Sequence, residues 1–174
     1  MDTRPIIRDA GPADAAPLGR LLVAAYAALE GFPTPAEQPA YYDLLANVAR
    51  LAERPGARVL VAVTREGAVA GGVAYFSDMA HYGAGSPAVR AVNASGIRLL
   101  AVDPAFRHRG IGKALALACI GLARERGHDE VILHTTRAMH EAWGMYERLG
   151  FRRSPDLDFS QQQLAVYGFR LALR

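Results

Sequence analysis

Seven consecutive residues, Arg107-His108-Arg109-Gly110-Ile111-Gly112-Lys113, put three permanent cations and two glycines between the apolar runs "IRLLAV" and "ALALACIGLA". A helix start leaves backbone N–H groups unpaired and carries the positive end of the helix dipole, so it favours an anion. Glycine lets a phosphate come close to such backbone because no Cβ stands in the way. Arg107, Arg109 and Lys113 add charge around the same point, and the pattern reads as a diphosphate cradle. Two better-known phosphate loops do not fit. A P-loop needs glycine five residues before Gly112 and Ser or Thr after Lys113, where the chain has Arg107 and Ala114. A dinucleotide fingerprint needs a third glycine at Leu115 and an acidic residue ending the next strand, whereas Asp129 and Glu130 begin it.

The elements that must hold this loop follow from periodicity and punctuation. "RPIIRDA" reads as a strand. "GPADAAPLGRLLVAAYAALE" reads as a helix with Gly11 as cap, Pro12 at its first position and its end at Gly31. "FPTPAEQPA" is a proline-stiffened loop, and "YYDLLANVARLAER" returns to helical spacing until Pro55-Gly56. "RVLVAVT" and "AVAGGVAYFSD" form a hairpin, with Gly71-Gly72 a bulge or a close backbone approach. The 79–92 segment has no period and is the longest loop, and loops of that length in compact domains are commonly functional. "NASGIRLLAV" is a strand leading to the cradle, a helix follows from Gly110 to about Arg126, and "DEVILHT" is a strand. "RAMHEAWGMYERLG" is a helix ending at Gly150, and "LAVYGFRLAL" is the last strand. The order predicts one α/β domain over 1–174, with helices on the faces of a mixed sheet.

Composition narrows the partners. The formal net charge is +3, with −2 on residues 1–87 and +5 on 88–174. The basic residues are scattered rather than striped among aromatics, so a small polyanion is expected and nucleic acid is not. The lone cysteine, Cys119, allows no internal disulfide and reads as a small buried hydrophobe. Residues 114–123, the longest uncharged apolar run, reach about half the roughly 20 residues of a bilayer helix. "MDTRPIIRDA" lacks the apolar centre of a signal peptide, so a cytoplasmic protein without a membrane partner is expected. The histidines show no paired ligand spacing, and no metal is expected.

The residues Arg107 to Gly112 match the acyl-CoA-binding pattern (Gln/Arg)-x-x-Gly-x-(Gly/Ala) of the GNAT superfamily of N-acetyltransferases, after a "Leu-Ala-Val-Asp-Pro" strand end of the kind that family shows. Ala142, Tyr146, Gly150 and Phe151 resemble its second hallmark, Ala-x-x-x-Tyr-x-x-x-Gly-Phe. The two motifs lie in their expected element contexts, and the order of elements agrees over nearly the whole chain. The resemblance implies a largely antiparallel sheet of about six to seven strands with four flanking helices, splayed between the parallel strands 97–102 and 130–135. It implies acetyl-CoA as co-substrate, its pantetheine arm on the backbone of Leu100, Ala101 and Val102, and its diphosphate on Arg107, His108, Arg109, Gly110, Ile111, Gly112 and Lys113. The acceptor is then a primary amine of a small molecule or peptide, with a homodimer allowed for.

Aminolysis of a thioester needs a neutral amine, a stabilised oxyanion and a proton for the departing thiolate. Tyr146 is the candidate general acid, because a phenol and an alkyl thiol have comparable reference pKa values. The base is left open. Family members often carry a glutamate on the strand where this chain has Gly96, which leaves a water chain, His134 or Asp78. It also leaves a non-catalytic CoA-binding sensor as the alternative function. Met139 stands where relatives often place a cofactor-binding asparagine, with His140 and Trp143 nearby. Tyr26, Glu30, Phe32, Tyr41 and Tyr42 are expected to form an aromatic, acidic wall for a cationic amine.

Overall fold

A computed structural model of the chain describes residues 4–83 and 85–174; Ala84 in the long loop and Met1 to Thr3 of the N-terminal stretch lie outside the described residues. In chain order the strands are β1 (Ile6–Asp9), β2 (Ala57–Val63), β3 (Val69–Phe76), β4 (Ala94–Val102), β5 (Glu130–Thr135), β6 (Arg152–Arg153), β7 (Phe159–Gln161) and β8 (Leu164–Ala172). The helices are α1 (Ala15–Ala27), α2 (Pro39–Ala46), α3 (Ile111–Glu125) and α4 (His140–Arg148), joined by several short 3-10 turns. The strands run in the order β1-β2-β3-β4-β5-β8-β6, with β7 on β8. Among the described residues only β4 and β5 pair in parallel; the other pairings are antiparallel. The strand total exceeds the sequence expectation through β6 and β7, which are too short to carry a periodic signal.

β2 and β3 are almost wholly buried, because each face of the sheet is covered. Such strands read as continuous apolar runs rather than alternating ones. α1 and α2 pack on one face with Leu18, Leu22, Tyr26 and Leu45, and α3 packs on the other. The buried stripe of α3 is Ile111, Leu115, Ala116, Cys119, Ile120 and Ala123, a helical repeat that turns one side to the sheet. Leu115 is fully buried, and replacing such a leucine by alanine costs about 2–5 kcal/mol. Gly71 and Gly72 are the close approach read from the sequence. A Cβ at Gly71 would stand 2.8 Å from the Ala101 carbonyl oxygen, and one at Gly72 would stand 2.4 Å from Leu18 Cδ1.

Helix ends depart from the sequence reading where side chains compete with the backbone. The single helix expected over "YYDLLANVARLAER" is broken at Asn47, whose side-chain amide donates to the Asp43 carbonyl at 2.9 Å, and a 3-10 segment Val48–Glu53 follows. α1 stops at Ala27, before Gly31. Its entry is held by Asp14, which accepts from the Gly11 N–H at 2.7 Å and from Arg8 at 2.6 Å. Arg8 accordingly holds the Asp14 carboxyl below its ordinary range.

Candidate functional site

The pairing of β4 with β5 runs from Ala94↔Glu130 to Ile97↔Leu133 and stops there. Past that point the pairing of β3 with β4 also slips, so that Leu99 and Leu100 both lie opposite Val73. Leu99 takes the left-handed φ of +59°. A bulge of this kind bends its strand and raises the local twist. The two parallel strands therefore part like a wedge, and the edge of β4 over Leu100 to Val102 loses its strand partner.

One cleft, of about 810 Å³, opens along that edge. Leu100, Ala101 and Val102 line it on the strand side; Arg107, His108, Gly110, Ile111, Gly112 and Lys113 line it on the loop side. Gly110 caps α3 in the left-handed conformation at φ +78°, and among the described residues no side chain caps the helix, so its first amides are left unclaimed beside the cleft. A Cβ added at Gly112 would touch Met145, Val102 and Leu100 at 3.6–3.7 Å, so the fold itself tolerates one and anything larger reaches into the cleft. This space beside free amides fits an anion such as a diphosphate. Arg109 is the exception among the cradle residues: it is not a lining residue, and its guanidinium lies 5.5 Å from the Phe106 ring centroid.

A second cavity, of about 430 Å³, lies on the other side of the wedge. Tyr26, Leu100, Met139 and Ala142 line both spaces, so the two meet there. Tyr26, Phe32 and Tyr41 form an aromatic cluster in its wall, with ring centroids 5.4–6.1 Å apart. The rest of the expected acceptor wall is not assembled. Glu30 is exposed and lines neither space, and Tyr42 is buried with its hydroxyl donating to the Pro33 carbonyl at 2.7 Å. No Asp or Glu lines the cavity among the described residues. The charged groups that do are Arg54 and Arg98, which sequence reasoning did not single out.

Tyr146 lines the second cavity one turn along α4 from Ala142. Its ring packs edge-on against Phe151 at 5.7 Å, and its hydroxyl has no hydrogen-bond partner among the described residues. Burial raises its phenol pKa well above the ordinary value, so it stays protonated at neutral pH. Tyr41 is pushed up to about 12 by the same cause.

Opposite stands a pair contributed by β5 and the long loop. Tyr82 Oη and His134 Nδ1 are 2.8 Å apart, and His134 Nε2 is 2.8 Å from the Leu157 carbonyl oxygen. Only an N–H can face a carbonyl, so Nε2 carries the proton and Nδ1 accepts from Tyr82. Burial keeps His134 below its ordinary pKa, hence neutral. The Tyr82 ring sits where a side chain at position 96 would be: a Cβ at Gly96 would lie 2.5 Å from Tyr82 Cδ2. The space that a side chain at position 96 would take is thus filled by a tyrosine supplied from the loop. Asp78 plays no part in either space; its carboxylate accepts from the Ala80 N–H at 3.0 Å, capping a 3-10 turn. Trp143 is packed edge-on to Phe169 and Tyr167, while exposed His140 lies at the mouth of the larger cleft.

Residues 22–151 match the family model described as "Acetyltransferase (GNAT) family". The chain belongs to the GNAT acetyltransferase family. Among its relatives, human N-acetyltransferase 8B is 40% identical over 55 residues, a match covering 32% of this chain and 24% of that protein. The chain thus spans about a quarter of that relative's length. The GNAT fold is shared over nearly the whole chain with a GNAT-family acetyltransferase of Staphylococcus aureus Mu50, at a TM-score of 0.73, 18% identity and coverage of 97% of this chain and 99% of that one. It is shared equally with the PaiA N-acetyltransferase of Thermoplasma acidophilum, solved in complex with coenzyme A, at a TM-score of 0.71, 15% identity and coverage of 97% and 98%.

Proposed function

We propose that this GNAT chain transfers an acetyl group from acetyl-CoA to a primary amine of a small molecule or peptide. The observation that carries the reading is the junction at Leu100, Met139 and Ala142, where a cleft ending in free helix amides meets a smaller cavity that holds a protonated phenol. Acetyl-CoA supplies an activated acetyl group when bound, and the cradle agrees with a structural neighbour, PaiA, having been solved in complex with coenzyme A. The amides of Gly110 to Lys113 hold the diphosphate, with charge added by Arg107 and Lys113. The parted edge of β4 offers Leu100 to Val102 as backbone partners for an amide-bearing arm.

In the acceptor cavity the amine must lose a proton as its nitrogen bonds to the acyl carbon. Tyr82 Oη takes that proton while passing its own to His134 Nδ1, which is bare and aimed at it. As the carbon–sulfur bond breaks, Tyr146 gives its hydroxyl proton to the sulfur. The raised phenol pKa suits a group that must arrive protonated, and the lowered imidazole pKa suits one that must arrive bare. The test is thiol release from acetyl-CoA with a panel of primary amines, with the acetylated product identified by mass. Amine-dependent release with matching product is expected; binding of acetyl-CoA without turnover of any amine would make the chain a binding protein.

A further inference from the structure

The acceptor cavity carries a charge pattern opposite to the one its expected substrate requires. Its only charged lining residues among those described are Arg54 and Arg98, and neither has a carboxylate partner there. This is unlike Arg8, Arg58, Arg153 and Arg170, each paired with an aspartate at 2.6–2.8 Å. Both cavity arginines are half-buried and tethered to neighbouring carbonyls of one turn. Arg54 Nη1 donates to His81 O at 3.0 Å, and Arg98 Nη1 donates to Tyr82 O at 2.9 Å, with its guanidinium 5.8 Å from the Tyr82 ring centroid. Each uses one N–H there and keeps the rest of its fork.

Two like charges held this way cost free energy unless something else gains by it. Arg54 and Arg98 line the same cavity, and burial, then the charge of Arg98, lower the Arg54 pKa. A second unsatisfied group lies in the same wall: Thr136 is 4% exposed, and its Oγ1 is buried with no hydrogen-bond partner among the described residues.

We infer that the acceptor is a small amino carboxylate, a molecule bearing both the primary amine to be acetylated and a carboxylate that seats between the guanidiniums of Arg54 and Arg98. A carboxylate matches the planar guanidinium fork and accepts several N–H bonds at once. The same two charges disfavour an ammonium nearby, so they also help the amine to arrive neutral. The Tyr26, Phe32 and Tyr41 rings bound the remainder of the space, whose volume suits a ligand the size of an amino acid or a short peptide. The inference rests on the transferase reading for the fate of the amine, but the anion site stands on the arginines themselves.

The experiment compares kcat/KM for L-amino acids with that for the corresponding amino-acid amides, which keep the α-amine and lose the carboxylate. Carboxylates are expected to be favoured about 10- to 100-fold, as hydrogen bonds to charged groups imply. Arg54→Gln should pull that ratio toward one and Arg54→Lys should restore part of it; Arg98→Gln should act like Arg54→Gln, with unfolding curves and acetyl-CoA affinity confirming folded protein. Amides acetylated as well as carboxylates would overturn the inference and leave the transferase reading intact. A preference of tenfold or more for aminophosphonates over amino acids would also overturn it, in favour of a phosphate-bearing acceptor. Should no amine be turned over, the transferase reading falls, and ligand-observed NMR with the amino-acid and amide mixtures decides the anion site. Carboxylate binding that Arg54→Gln abolishes upholds it, and equal binding of the amides ends it.

Discussion

The two spaces that meet at Leu100, Met139 and Ala142 are built by different means. The larger takes its defining surface from the stretch 107–113, all but Arg109, and the adjoining strand end, and its chemistry lies in backbone amides. The smaller is gathered from the first helices, the long loop, β4, β5 and α4, and its chemistry lies in side chains. A backbone-built site depends on what is absent from the side chains around it. A side-chain-built site depends on which distant segments the fold brings together. Substitutions should therefore separate the two: those in the cradle move cofactor affinity, and those in the cavity move turnover and acceptor choice.

The largest effect expected is at Tyr146. Tyr146→Phe keeps the ring against Phe151 and removes the hydroxyl proton, so turnover should fall about 10²–10⁴-fold, as for loss of a general acid. Acetyl-CoA affinity, measured by calorimetry, should stay the same. A loss of affinity equal to the loss of turnover would erase the division between the two spaces.

The next effect is one of pH. In the proposed relay His134 accepts a proton only while Nδ1 is bare, so kcat/KM should fall as pH drops through its depressed pKa, below the ordinary imidazole value. Stability should follow the same direction. Between the unfolded and folded pKa values the unfolded chain binds a proton that the folded chain refuses, so falling pH favours unfolding. His128 is shifted the same way, so His134→Gln should remove part of the slope of Tm against pH and the whole of the activity limb assigned to the relay. An unchanged activity limb in that variant would take His134 out of the proton path.

The smaller effects sharpen the cradle side. Gly112→Val places two methyl groups in the cleft, and overpacking costs about 1–3 kcal/mol, so acetyl-CoA should bind roughly 10- to 100-fold more weakly. Arg107 is exposed, and Arg107→Ala should cost less than about fivefold, with the difference shrinking as salt rises. The reverse ranking in a titration series would mean that charge, rather than free amides, holds the diphosphate.

What could be read from the sequence divides along the same line. The cradle was legible because its physics is local: two glycines, a strand end and a helix start lie in one stretch. The family resemblance singled out Tyr146, which lines the smaller cavity, and implied the parting of β4 from β5. The Tyr82–His134 contact joins residues 52 apart in the chain, and no periodicity announces it. Its one trace was negative, a glycine at position 96 whose missing side chain leaves room for the Tyr82 ring. The expectation of an acidic wall failed at Glu30 because helical spacing places a residue on a face without saying whether that face closes a cavity or meets solvent. Arg54 and Arg98 looked like two more scattered cations until the fold tied both to the turn at His81 and Tyr82.

The burial of Cys119 against the sheet has a bearing at the bench. Its side chain is fully enclosed and its thiol is pushed up to about 12 by that enclosure. The thiolate is the form that attacks a disulfide reagent, and at neutral pH this cysteine supplies almost none. With one cysteine in the chain, a chromogenic thiol titration of the native protein should show a flat baseline, and colour that develops on adding acetyl-CoA and an amine counts liberated coenzyme alone. The same reagent, added during heating, would report the opening of the α3 face as a delayed burst of one equivalent per chain.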